Sequence, residues 1–175
     1  QMERLDVAAK TTGRQVRWVV TADHGEEFGE RGSWGHAHTL YAEQLHVPLI
    51  ISGGGLPHAG PVDVPVGTHD IAPTIASWVD KADALKADGV PLVPGQSPNV
   101  NDKRAFPAET TRFKTNRIGL YQDGLRLEWD LKSGVLELFD PHADAVEAID
   151  LSGARPEDVA KVQALLEASQ GAPWE

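Results

Sequence analysis

The sequence predicts an α/β fold: an α/β core followed by a small antiparallel sheet with a C-terminal helix. Three observations predict it. Residues 15–22 are rich in β-branched side chains and end in a nearly continuous apolar run, the pattern of a strand covered on both faces. Asp123-Gly124 lies between two short strand-like runs, a strong hairpin signal. From about Arg155 or Pro156 to Ser169, the residues Val159, Val162, Leu165 and Leu166 recur at helical spacing, with Pro156 near the first turn.

The elements follow in order. Leu5, Val7, Ala8 and Ala9 before Thr11-Thr12-Gly13 read as the end of an amphipathic helix with Gly13 as its C-terminal cap. Residues 15–22 then form a buried central strand. Residues 23–35 are rich in glycine and charge and read as a long loop. Residues 39–45 give one or two helical turns, and residues 46–52 a second strand closed by Gly53-Gly54-Gly55. Pro57, Pro61 and Pro65 make the next stretch irregular. Thr68 is expected to cap a helix with Ile71, Ile75, Trp78 and Val79 on one side and Pro73 near its start. Residues 80–115 hold prolines at 91, 94, 98 and 107 and suggest no regular element. Residues 119–122, 125–129 and 135–139 then form three short antiparallel strands, with a turn at Lys132-Ser133-Gly134. The organisation expected is a core portion over residues 1–115 and a small sheet subdomain with the C-terminal helix over residues 116–175.

Composition excludes several classes. A chain of 175 residues is long enough to bury about 70% of its unfolded surface. Sixteen Lys plus Arg against 26 Asp plus Glu give a net charge of -10, so no basic stripe exists for nucleic acid. With no cysteine, a disulfide framework, a thiolate metal site and a cysteine nucleophile are all excluded. The longest apolar run, residues 47–51 with Pro48 inside it, is far short of the roughly 20 residues that cross a bilayer, so no transmembrane segment is expected. The first residues lack the basic and apolar blocks of a signal peptide, and any export signal is expected upstream of Gln1.

The stretch Thr21-Ala22-Asp23-His24-Gly25-Glu26-Glu27 carries the most chemical information. Ligands of open α/β sheets gather at the carboxyl ends of strands, where Asp23 and His24 fall. A carboxylate beside an imidazole offers hard oxygen and borderline nitrogen to a divalent cation, and Gly25 lets the backbone turn sharply. Twelve residues on comes Gly35-His36-Ala37-His38, so four of the seven histidines lie between residues 24 and 46. In an extended segment His36 and His38 point to opposite sides, and one of them faces the site. His46 reads as a packing or edge residue, and His58 and His142 as exposed loop residues. Asp70 reads as a first-turn charge favoured by the helix dipole.

The ordered motifs carry a resemblance. Residues 19–32, then Gly35-His36-Ala37-His38-Thr39-Leu40-Tyr41-Ala42-Glu43, then Val47-Pro48-Leu49-Ile50-Ile51, are similar to the C-terminal half of a sulfatase of the alkaline phosphatase superfamily. Residues 66–75 resemble the helix start that follows, and residues 136–140 with 144–151 resemble the C-terminal subdomain, with Ala145 where proline is usual.

The resemblance implies part of an alkaline-phosphatase-like α/β sandwich with metal-dependent hydrolysis of sulfate esters. Asp23 and His24 become metal ligands, and His36 or His38 the side chain that contacts the sulfate or the leaving oxygen. The implied ion is divalent, calcium first, with manganese, zinc or magnesium as alternatives. In the family a formylglycine hydrate attacks sulfur while the metal neutralises the nonbridging oxygens. Its Cys/Ser-x-Pro-x-Arg motif has no counterpart here, and Ser97-Pro98-Asn99 lacks the spacing and the arginine. The expectation is therefore a chain that partners the N-terminal half of the same enzyme and is inactive without it. Phosphodiesterases, phosphonate monoester hydrolases and phosphoethanolamine transferases share these half-motifs, and a noncatalytic metal-binding module is the reading from outside enzymology.

Overall fold

A computed structural model describes residues 1–56, 60–81, 85–92 and 104–170. His58 and Ser97-Pro98-Asn99 lie outside the described residues. The chain divides into two compact units, Gln1–Thr21 with Pro48–Asp102, and Ala22–Val47 with Lys103–Glu175. Among the described residues no helix is long and apolar enough to cross a membrane.

The first unit opens with α1 (Met2–Lys10), whose Glu3 in the first turn and Lys10 in the last suit the helix dipole. The helix closes on Thr11 in right-handed geometry, and Gly13, at φ 67°, serves the reversal beyond rather than the cap. Trp18 Nε1 donates to Asp6 Oδ1 at 3.2 Å and ties β1 (Arg17–Thr21) to this helix. Strand β1 pairs antiparallel with β4 (Leu49–Gly53) in the register Val19↔Ile51. The expected buried central strand is instead half-buried, because β4 is its one partner strand among the described residues.

The short 3-10 turn Thr68–Asp70 leads into α3 (Ile71–Trp78). Asp70, not Thr68, organises this start. Its buried carboxylate accepts from the Gly67 and Val90 N–H groups, each at 2.9 Å. The buried face is Pro73 and Thr74, whereas Ile75 and Val79 are exposed. Periodicity alone missed this because Thr74 uses its hydroxyl twice, donating to Asp70 O and accepting from Leu92 N–H, which brings the 90–92 segment over the polar side.

The second unit is built on a four-stranded antiparallel sheet of β5 (Phe106–Thr110), β6 (Arg117–Gln122), β7 (Leu125–Asp130) and β8 (Leu136–Phe139), in that order. Asp123 and Gly124 have φ of 52° and 79°, the left-handed pair that a twist-matched two-residue hairpin requires. Strand β5 adds a fourth strand to the three expected. Pro107 had argued against it, yet an edge strand tolerates a residue without an N–H.

Alternation divides the two faces of this sheet. Leu125, Leu127 and Trp129 on β7, with Ile118, Leu120, Leu136 and Leu138, meet Val159, Val162 and Leu166 of α4 (Pro156–Gln170). Leu165 falls off that stripe and stays exposed. The intervening residues Arg126, Glu128, Glu137 and Phe139 turn to the opposite face, where the histidine-bearing segment lies.

Candidate functional site

That segment comprises β2 (Glu27–Phe28), β3 (Trp34–Gly35) and the single-turn α2 (Ala42–Leu45). Strands β2 and β3 pair antiparallel in the register Glu27↔Gly35, which sets the residues on either side, Glu26 and His36, next to each other. His36 Nδ1 lies 3.3 Å from Glu26 Oε1. The imidazoles of His24 and His36 stack with centroids 4.0 Å apart and planes 25° apart. One ligand atom from each of His24, Glu26 and His36 falls within 4.8 Å of the others.

Gly25 earns its place by close approach rather than by positive φ. A Cβ there would lie 1.9 Å from the Glu43 carbonyl oxygen, and the backbone bonds Gly25 N→Gln44 O at 2.8 Å and Glu26 N→Glu43 O at 3.0 Å depend on that proximity. These bonds anchor the Asp23-to-Glu26 turn against α2. Its His24 ring is then fixed locally, with Nδ1 2.7 Å from Gly25 O.

The two histidines of the Gly-His-Ala-His run diverge as expected, by a different route. Ala37 is not extended but left-handed, at φ 69°. His36 goes to His24 and Glu26, and His38 packs against Phe113 with centroids 5.8 Å apart and its buried Nε2 without a hydrogen-bond partner. Asp23 sits at the exposed edge, its Oδ1 accepting from His24 N–H and its Oδ2 3.7 Å from His24 Nε2. His46 and His142 are exposed. Glu26 is the residue that sequence reasoning passed over. Its signal was present in the spacing, since a carboxylate two positions after His24 in a tight turn folds back beside it.

The segment is clamped to the polar face of the sheet. Arg126 on β7 is buried and holds both carboxylate oxygens of Glu147 and the Leu40 carbonyl. Glu147 in turn accepts from Ala42 N–H at 2.8 Å, and Glu128 from Leu40 N–H at 3.3 Å. Arg31 reaches the Val146 and Glu147 carbonyls, pairs with Glu43 at 2.8 Å and covers the Tyr41 ring at 3.6 Å. Tyr41 donates to Glu137 Oε2 at 2.7 Å. Burial, then this bond and the nearby Glu128 and Glu137 charges, push the Tyr41 phenol well above the ordinary tyrosine range. Glycine at 119 leaves room on this face, where a Cβ would already lie 3.4 Å from Leu40.

Two imidazole nitrogens and one carboxylate oxygen within mutual reach fit a divalent cation. That donor set suits manganese or zinc, whereas calcium favours shells of oxygen alone.

The sequence pattern of the Sulfatase family matches residues 12–81, the span that holds Asp23, His24, Glu26, His36 and His38. Residues 12–81 are thus similar to the Sulfatase family. A low-salt glycan biosynthesis sulfotransferase, Agl7 of Haloferax volcanii, is 37% identical over 78 residues, which is 42% of this chain and 19% of that protein. Among solved structures, a 2-O GAG sulfatase superposes with a TM-score of 0.71 at 23% identity, over 87% of this chain and 35% of its own. A phosphonate monoester hydrolase from Silicibacter pomeroyi superposes with a TM-score of 0.74 at 25% identity, over 97% of this chain and 38% of its own. The chain thus has the mixed α/β fold of these solved structures, and it spans about a fifth of the sulfotransferase's length.

Proposed function

We propose that this chain supplies the metal-binding loop of a metal-dependent sulfuric ester hydrolase. The observation that carries the reading is the convergence of His24, Glu26 and His36 on one loop inside the span that matches the Sulfatase family. Asp23 and His24 are read as metal ligands and His36 as the side chain that meets the ester. The nucleophile is read as a residue outside these 175 residues, because they contain no cysteine and no Ser-x-Pro-x-Arg run.

A bound divalent cation would neutralise charge on the nonbridging oxygens of the ester. Calcium, the ion implied by the resemblance, would need Asp23 and further oxygens beside the cluster. His36 sets Nδ1 against Glu26, which fixes the ring, and offers Nε2 to the departing alcohol oxygen. Asp23, exposed at the rim, would offer its carboxylate to the cation from the open side. A second reading, hydrolysis of phosphonate monoesters, is favoured by the Silicibacter enzyme, whose fold match extends over nearly the whole chain.

The test is turnover of an aryl sulfate, an aryl phosphate and an aryl phosphonate ester by the full protein, with and without a chelator. The sulfate ester is expected to react fastest and to need metal, and Asp23→Ala is expected to lose turnover and metal together by elemental analysis. Metal retained in Asp23→Ala overturns the ligand assignment. Preference for the phosphonate ester puts the second reading first, and turnover by residues 1–175 alone overturns the external nucleophile. Metal bound with no turnover of any ester leaves the noncatalytic module.

A further inference from the structure

Glu27 is a carboxylate with no exposure at all and no basic side chain within ion-pair reach among the described residues. Burying such a group is costly unless its oxygens are occupied. One is: Glu27 Oε1 accepts from the Thr39 hydroxyl and from Gln44 Nε2, the latter at 2.6 Å, while Oε2 has no partner. Gln44 is itself buried, and its Nε2 also reaches Thr39 Oγ1 at 2.7 Å. With its amide nitrogen fixed in this way, the amide oxygen has one direction left. It accepts from Ala37 N–H at 2.7 Å.

Ala37 is the left-handed residue between His36 and His38, a conformation that costs a non-glycine residue about 1–2 kcal/mol and therefore needs outside support. Gln44 holds its N–H, and the Thr110 hydroxyl holds its carbonyl at 2.7 Å. Were Ala37 to relax to an extended conformation, the direction of His36 would change and the His24–His36 stack would be lost.

We propose that Glu27 and Gln44 are positioning residues that hold the Ala37 turn and thereby set His36 against His24 and Glu26. This rests on the reading of His36 as the side chain that meets the ester. Glu27 makes no contact with the reacting atoms. It fixes the Gln44 amide, and Gln44 fixes the backbone beside His36.

The test uses the full protein with histidine labelled at 13Cε1. Gln44→Met, which keeps the volume and removes both polar ends, is expected to shift the His36 Cε1–H resonance and to lower kcat about 10- to 100-fold, the usual cost of losing an orienting partner, with KM within about threefold. Glu27→Gln, which keeps an acceptor for Thr39 and Gln44, is expected to retain most of the turnover, and Glu27→Leu is not. Gln44→Glu, which keeps the acceptor for Ala37 but loses the donors, covers the case in which Gln44→Met does not fold, and is expected to shift the same resonance. An unmoved His36 resonance with kcat within about twofold in a folded variant overturns the proposal. If the parent protein turns over no ester, the functional reading fails, and the resonance alone decides the positioning role.

Discussion

His24 and His36 stack face to face at 4.0 Å although they lie twelve positions apart in the chain, and Glu26 lies against the second ring. A cation bound beside this pair draws on His24 and Glu26, so Glu26→Gln and His24→Ala are each expected to weaken binding of manganese or zinc by about tenfold or more. Titration calorimetry of the full protein checks this. Unchanged affinity in both variants would remove the cluster from consideration as a metal site.

Gly25→Ala is expected to disrupt this turn from within. The new methyl group would meet the Glu43 carbonyl at 1.9 Å, and backbone has little freedom to yield, so the cost is about 1–3 kcal/mol or more. Gly153→Ala is the matched control, because no atom lies within 4 Å of the added carbon. Chemical unfolding should separate the two substitutions clearly, and equal midpoints would contradict the close-approach account.

The Arg126–Glu147 pair gives a prediction about the clamp. Glu147→Ala leaves a guanidinium buried on the loop-bearing face of the sheet without its carboxylate, a loss of about 3–5 kcal/mol. The double variant Arg126→Met with Glu147→Leu is expected to recover part of that loss, since it leaves neither charge unpaired. Additive losses in denaturant titrations would show that the two residues do not act as a unit.

Much of this arrangement was legible in the sequence, and what was not has a common cause. The hairpin at Asp123-Gly124 and the helix after Pro156 depend on neighbours along the chain, so local rules reach them. So does the strand before the Asp-His turn, whereas the stretch after it, read as a long loop, forms the short strands β2 and β3. The hidden parts depend on distant partners: β5 is a strand because β6 pairs with it, and Asp70 and Thr74 are buried because the 90–92 segment bonds to them. The same holds in the candidate site. His24 announces itself by residue type beside Asp23, but Glu26 joins it only through the Glu27↔Gly35 register, and Gln44 matters only because Ala37 turns left-handed beneath it.

Tyr41 offers a test in alkaline solution. Its phenol is buried, donates to Glu137 and faces the added negative charge of Glu128, so its pKa lies well above that of an exposed tyrosine. The unfolded chain releases this proton near pH 10 while the folded chain keeps it. The associated stability is therefore whole below pH 10 and is lost as pH rises toward the folded-state value. Tyr41→Phe should cost about 0.5–1.5 kcal/mol at neutral pH through the lost hydrogen bond, yet show a shallower decline in stability above pH 10. Absorbance at 295 nm, compared between the parent and Tyr41→Phe, reads the ionisation directly. A tyrosinate step near pH 10 that disappears in the variant while the protein is still folded would mean that Tyr41 is not sealed against the sheet, and that the loop carrying His36 opens on that side.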